Sequence, residues 1–366
     1  MFSFNELKCI LKPYFKIDNR RLDCLAQILV ALITVRTVNL VEIAQAMLTG
    51  GLFEARYKRL RRFFKEFNGF SFPIFSKFIA QFFLPSNIKW QLVMDRTNWK
   101  WGKANINILM VSAVCGTVAI PLIWKFLPKK GASNTDEWIE IVEKFIGIFG
   151  LNVIQELLGD REFVSAKWFQ WLQEKQLPFT IRLKKSISVT SAKENKTHTR
   201  TLFINLRQGQ VRYIKMQKTL FGISLWLAAT RAEDGEWVIV ATNHQPEFAL
   251  ARYKLRWNIE TLFGFLKSKG FCFEDTHITL PERLHNLLSV LAIAFCLAYK
   301  AGQIVAKEIP IKRKKHGRLE KSILRVGLDL LREIFFKMAR SVNNFVDEIA
   351  PIFLKNGVVN LIFSRS

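Results

Sequence analysis

Tyr253, Arg256, Glu260 and Lys267 follow one another at spacings of three, four and seven residues. At 100° per residue on a helix they fall within about 60° of one another, so a phenol, a guanidinium, a carboxylate and an ammonium share one stripe. Two further acids, Asp95 and Asp160, each close an apolar run with strand character: Gln91-Leu92-Val93-Met94 before Asp95, and Val153 to Leu158 then Gly159 before Asp160. An acid at the end of a buried strand reaches the rim of a sheet, where the backbone holds it rigidly and water, metal and substrate have access. Either Asp alone is explained by an ordinary strand-end residue capping a loop. The pair, joined by Glu260 on a helix, asks for more. Three carboxylates are what Mg²⁺ or Mn²⁺ selects, and they can hold two ions about 4 Å apart, one activating an attacking water or 3′-hydroxyl and the other stabilising the leaving oxygen. That is a phosphodiester-cutting site in outline.

Within the stripe, a plain i,i+4 salt bridge between Arg256 and Glu260 would contribute only about 0.3–0.5 kcal/mol and would leave Tyr253 and Lys267 unexplained. Gly264 lies between Glu260 and Lys267 on the same face, where a missing side chain would let a phosphate backbone come close. The five histidines, His198, His244, His277, His285 and His316, show no close metal-ligand spacing and default to core, loop or surface roles.

Composition sets the partner class. The chain of 366 residues is half apolar, enough for a large core and more than one structural unit. It carries 55 Lys and Arg against 30 Asp and Glu, a formal charge of +25. Such an excess implies an extended polyanion, nucleic acid first and a membrane surface second. The cysteines, Cys9, Cys24, Cys115, Cys272 and Cys296, are scattered and odd in number, so they give neither a disulfide framework nor zinc spacing and read as reduced thiols of a cytosolic protein. The start, Met1-Phe2-Ser3-Phe4-Asn5-Glu6, lacks the basic and apolar regions of a secretory signal. The most apolar runs, Leu22 to Val35 and Leu287 to Tyr299, are shorter than the roughly 20 residues a bilayer crossing needs and read as buried helices.

Elements must then position the acids. Residues 1–85 read as helical: Asn39 and Glu42 resemble a capping box, the helix they open ends near Gly50-Gly51, and a second runs from about Phe53 to Phe67. One face of that second helix carries Phe53, Tyr57, Leu60, Phe63, Phe64 and Phe67, and the other carries Lys58, Arg61, Arg62 and Lys65. A basic helix after a short turn suits a DNA groove, and equally a solvated face on a packing helix. Residues 86–184 read as strand to Asp95, strands Ile106 to Ala113 and Val118 to Phe126, helix Thr135 to Phe149, strand Val153 to Leu158, helix Ala166 to Lys175 and strand Phe179 to Leu183. This order is that of a ribonuclease-H-like core, an α/β mixed sheet flanked by helices. Residues 185–246 interrupt it with a β-rich insertion, in which Phe221 to Ala229 and Trp237 to Ala241 flank the hairpin signal Asp234-Gly235. The helical signal resumes over 247–302 with the Tyr253–Lys267 stripe. Residues 303–366 hold a basic loop, Lys312 to Arg318, and a final helical region to about Phe353.

These residues match the Y-R-E-K signature of bacterial insertion-sequence transposases with a DDE triad, the insertion-sequence-four type. Val93-Met94-Asp95-Arg96-Thr97 around the first acid and Gly159-Asp160-Arg161-Glu162-Phe163 around the second resemble the family's other two blocks. Three ordered blocks in one topology are far more specific than the four-residue spacing alone, and the resemblance covers most of the chain. It implies cut-and-paste movement of a DNA element by a synaptic complex, typically a homodimer, acting in the bacterial cytoplasm on terminal inverted repeats and target DNA, without a membrane. It implies Asp95, Asp160 and Glu260 as ligands of two divalent cations, Mg²⁺ or Mn²⁺, with Tyr253, Arg256 and Lys267 holding phosphates and terminal nucleotides. Related enzymes cut through a DNA hairpin and receive a displaced base on a Trp of the insertion. Trp237 stands in the corresponding place, with Trp226 second, although either also reads as a strand Trp packed on its apolar face. Lys58, Arg61, Arg62 and Lys65 would help bind the terminal repeat. Two other classes stay open: a non-catalytic DNA-binding protein derived from such an enzyme, and a metal-dependent nuclease or resolvase that cuts without joining.

Overall fold

The helical and strand signals separate two compact units, one built from residues up to Phe83 and from Gly264 on, the other from Leu84 to Phe263. The computed structural model describes residues 4–48, 52–191, 194–315 and 317–340. The expected turn at Gly50-Gly51, His316 and the helical region from 341 to Phe353 lie outside the described residues.

In the second unit, β1 (Trp90–Trp101), β2 (Ala104–Cys115) and β3 (Val118–Phe126) form an antiparallel meander, and β4 (Ile154–Gly159) and β5 (Phe179–Leu183) add in parallel on the other side of β1. The order β3-β2-β1-β4-β5 is a ribonuclease-H-like core, a mixed sheet flanked by helices. Helices α6 (Thr135–Phe149) and α7 (Ala166–Glu174) make the crossovers that parallel strands require. α6 starts on a full capping box between Asn134 and Glu137, α7 on the Ser165 hydroxyl. Sequence reading ends the first strand at Asp95, but β1 runs six residues further. The apolar run stops there because β1 parts from β4 after Met94 and continues paired only with β2, one face open to water.

The β-rich stretch extends the same sheet. β11 (Trp237–Thr242) pairs with β5, β10 (Ile223–Arg231) with β11, and β9 (Lys218–Leu220), β6 (Ser188–Thr190) and β7 (Lys196–His198) follow outward, while β8 (Val211–Tyr213) lies on β10. The unit closes with α8 (Ala249–Tyr253), a 3₁₀ turn over Lys254–Trp257 and α9 (Asn258–Gly264).

The first unit is helical: α1 (Phe4–Leu11), α2 (Asn19–Val35), α3 (Leu40–Ala46), α4 (Phe53–Glu66), α5 (Phe72–Phe83), α10 (Pro281–Glu308) and α11 (Ile323–Arg340). Asn39 caps α3 by accepting from the Val41 amide. α10 is 28 residues, longer than the apolar run Leu287 to Tyr299 that marks it, and by length and composition it could cross a bilayer. Yet 78% of its apolar window is buried inside the protein, as expected of a core helix. α10 and α11 touch backbone to backbone: a Cβ on Gly327 would lie 1.8 Å from the Ala298 carbonyl oxygen, and one on Gly302 1.9 Å from that of Ile323. Replacing Gly327 with alanine is therefore expected to destabilise this unit by about 1–3 kcal/mol, read as a lowered urea midpoint at constant slope. No disulfide joins the five cysteines.

Candidate active site

The parallel pairing of β1 with β4 sets the two aspartates side by side. Its last register pair is Met94 with Gly159, so Asp95 and Asp160 are the next residues on the two neighbouring strands. The blocks around them form a lock. Arg96 donates to both Glu162 oxygens at 2.9 and 3.2 Å, and Glu162 also accepts from the Ser133 amide and hydroxyl. Phe163 is fully buried against Gly159, where a Cβ would already touch its ring at 3.4 Å. The residues flanking each acid thus hold the diverging strand ends in fixed register.

The third acid comes from the closing helical segment, which is not the single helix implied by one stripe. Over Lys254–Trp257 it tightens to a 3₁₀ turn, which sets Tyr253 and Arg256, three residues apart, on one face. α9 then places Glu260 one α-helical turn beyond Arg256. Arg256, 5% exposed, bridges two of the acids: one terminal nitrogen donates to Asp95 Oδ2 and the other to Glu260 Oε1, both at 2.7 Å. The Tyr253 hydroxyl donates to Asp160 Oδ1 at 3.2 Å. Beyond Gly264 the helix widens into a π turn over Phe265–Lys269, within the first unit, where Lys267 pairs with Glu274 at 2.7 Å. The uniform 100° rotation of a single α-helix therefore describes the segment only as far as Gly264. At Gly264 a Cβ would meet only the Lys269 side chain, at 3.9 Å.

Asp95 and Arg256 are largely shielded from water, while Asp160 and Glu260 keep 28% and 38% of their side chains exposed. Burial pushes the Asp95 carboxyl up from its usual 3.8 to about 6; Arg256 pulls it down, and Asp160 and Glu260 push it further up. Burial also raises the Tyr253 phenol, so its hydroxyl stays a donor at any working pH. Among the described residues no three His, Cys, Asp or Glu stand close enough to hold a metal ion, because a guanidinium occupies the interval between Asp95 and Glu260. The donor set itself, three carboxylates of which Asp160 and Glu260 both push Asp95 up, has the chemistry that a hard divalent ion takes.

Sequence reading passed over Arg182 on β5, 3.9 Å from Asp160 and ion-paired with Glu236. It also passed over Glu156 and Arg252, an ion pair at 2.8 Å. For Arg182 and Glu156 the signal was present in the strand, a charge inside an otherwise apolar run. Trp237 begins β11 half-buried, with the Arg231 guanidinium 5.7 Å over its ring, and Trp226 is half-buried on β10. In the first unit Lys58, Arg61, Arg62 and Lys65 are all exposed on α4. Beside them a cavity of about 620 Å³ is lined by Arg20, Arg21, Arg59 and Arg62, with Asp18 and Phe63.

No curated protein matches the chain. Among solved structures, a cryo-EM structure of a piggyBac transposase synaptic complex with hairpin DNA is similar at 11% identity over 96% of this chain and 85% of that one, with a TM-score of 0.48, too loose a likeness to carry argument. The family model of the transposase DDE domain matches residues 89–297, a span that contains Asp95, Asp160 and the whole Tyr253–Lys267 segment and exceeds half of the sequence. The chain belongs to the transposase DDE domain family.

Proposed function

We propose that the protein is a DNA transposase of the insertion-sequence-four type, which cuts an element's ends at its terminal inverted repeats and joins them to target DNA. The observation that carries this reading is the register that sets Asp95 beside Asp160 with Arg256 linking Asp95 to Glu260, inside the span of the family match. Asp95, Asp160 and Glu260 would hold two divalent cations, Mg²⁺ or Mn²⁺; when bound, such ions activate the attacking oxygen and stabilise the leaving one. The chain's own residues supply binding and orientation. Arg256, displaced from the carboxylates, presents two parallel N–H groups that match a phosphate. Tyr253, kept protonated, donates to a phosphate oxygen as it now donates to Asp160. Lys267 contributes a point charge to the terminal nucleotides.

The basic face of α4 and the arginines of the adjoining cavity suit a DNA backbone. Replacing Arg62, which belongs to both, with alanine is expected to reduce the slope of log K against log salt by about one, with sequence preference unchanged, in binding titrations across salt concentrations. A hairpin route would call on Trp237 to receive an unstacked base, worth about 1–3 kcal/mol. Trp237→Ala should then lower the hairpin fraction on a denaturing gel without slowing the first nick, and an unchanged fraction would remove Trp237 from that role.

The function is tested with purified protein, a labelled duplex bearing the source element's terminal repeat, and supercoiled target DNA, in Mg²⁺ or EDTA. Metal-dependent nicks followed by end-joined products are expected of a homodimeric synaptic complex. Nicks without joining would mean a nuclease, and specific binding with neither would mean a DNA-binding protein.

A further inference from the structure

We propose that Glu156 and Arg252 are positioning residues for the DNA-cleaving site: their buried ion pair fixes α8 on the sheet and thereby aims Tyr253 and Arg256 at Asp160 and Asp95. The inference rests on reading that site as one that cuts DNA.

Glu156 lies on β4, four residues before Asp160, with 0% of its side chain exposed. A carboxylate within a sheet core is tolerated only if its oxygens are satisfied. Gln91 Nε2 donates to Oε2 at 3.0 Å, the Thr180 hydroxyl donates to Oε1, and Arg252 Nε stands 2.8 Å from Oε2. One side chain thus ties β1, β4 and β5 to α8. The ring of His244 is also near, 3.8 Å from Oε1, but burial and then Arg252 lower its pKa to about 4, so it faces Glu156 uncharged at neutral pH. Arg252 is the only cation in direct reach among these partners.

Arg252 uses the rest of its guanidinium on the turn that precedes its own helix. It donates to the carbonyls of His244 and Gln245 at 3.2 and 3.1 Å, and to Gln245 Oε1 at 3.2 Å. The next residue is Tyr253, whose hydroxyl reaches Asp160. β4 therefore carries the anchor of the helix and leads directly into the acid that the helix contacts. Ala249, Leu250 and Tyr253 pack α8 onto Ala228 and Val240, but a five-residue helix with no side-chain N-cap hydrogen bond can still turn on so small an apolar contact, and the ion pair fixes that rotation. An apolar pair of equal volume would bury as well, but it would fix no rotation: the terminal nitrogens of Arg252 are hydrogen-bonded to two carbonyls and a side-chain amide, while Nε meets Glu156 through charge at 2.8 Å without the alignment of a hydrogen bond.

The test uses the full-length protein with Glu156→Gln, Arg252→Gln and the double variant. Single-turnover nicking of a labelled terminal-repeat duplex in Mg²⁺ separates maximal rate from the DNA concentration giving half of it. Each single variant is expected to lose about 10–100-fold in maximal rate with the half-saturating DNA concentration within about twofold of the parent's, and the double variant to be no slower than the slower single. A parent-like maximal rate in both folded singles would overturn the proposal, as would losses matched by equal losses of DNA binding. Should the singles fail to fold, Glu156→Leu with Arg252→Met restores an apolar pair: folded but slow supports the proposal, and folded with the parent's rate overturns it. A readout independent of cleavage is the ¹⁹F spectrum of protein labelled with 3-fluorotyrosine, the Tyr253 line being assigned by Tyr253→Phe. That line should move in Glu156→Gln and Arg252→Gln while those of Tyr14 and Tyr299 stay, and a fixed Tyr253 line would overturn the positioning role even if the parent protein cuts nothing.

Discussion

Asp160→Ala is expected to slow metal-dependent strand cleavage by at least about 10²–10³-fold while leaving the protein folded and able to bind its DNA. Asp160 sits just past the end of β4, 28% exposed, with the Tyr253 hydroxyl and, more distantly, Arg182 as its partners. Neither partner is stranded by its loss. Arg182 keeps Glu236 and the Trp237 carbonyl, and the Tyr253 hydroxyl faces a partly open site where water can replace the carboxylate. The change in stability should accordingly stay within about 1 kcal/mol. The chemistry has no such substitute, since the carboxylate lost is one of only three in the set. Single-turnover nicking in Mg²⁺, with binding measured separately in EDTA, reads the two effects apart. A variant that nicks at the parent's rate would remove Asp160 from the reaction and with it the reading of the three acids as one set.

Much of that set is legible in the sequence, and the limits are physical. An apolar run that stops at an acid marks Asp95 and Asp160, because a strand flanked on both sides must be apolar and loses that need where a neighbour departs. The same logic misjudges the residues beyond Asp95: β1 continues to Trp101 once one face is open to water, so the run marks the divergence from β4 and not the strand's end. The stripe from Tyr253 to Glu260 holds because a 3₁₀ turn and an α turn keep residues three and four apart on one face. Past Gly264 the α-helical rotation it assumes gives way to a π turn that no local signal announces. Arg256 between Asp95 and Glu260 was out of reach altogether. Its i,i+4 partner is visible in the chain, but the partner 161 residues away is fixed by tertiary packing. The buried Glu156 was visible as a charge in an apolar strand, although pairing it with Arg252 needed the fold.

Asp95→Asn is expected to become more stable relative to the parent as pH rises from below 4 to above 6, by about 2–3 kcal/mol. The sign is set by linkage. Burial raises the folded Asp95 carboxyl from 3.8 to about 6, so between those values the folded parent binds a proton that the unfolded chain has released, and its stability falls as pH rises through that window. About two pKa units correspond to about 3 kcal/mol, and the residual exposure of the side chain sets the lower figure. Asparagine does not titrate, so the constant cost of leaving Arg256 with Glu260 as its one acidic partner drops out of the pH dependence. Repulsion from Asp160 and Glu260 is part of that rise, and the variant removes it. Urea denaturation of both proteins at pH 4, 5, 6 and 7 measures the swing, and parallel curves would mean that Asp95 is not strained. The strain is what a divalent ion would relieve. Adding Mn²⁺ at pH 7 should raise the parent's unfolding temperature more than the variant's, because an ion that binds only the folded state stabilises it by mass action and Asp95 is part of what it would bind. The stability given up at Asp95 in the free protein would then be recovered where the function needs it, in the site with cation and phosphate in place.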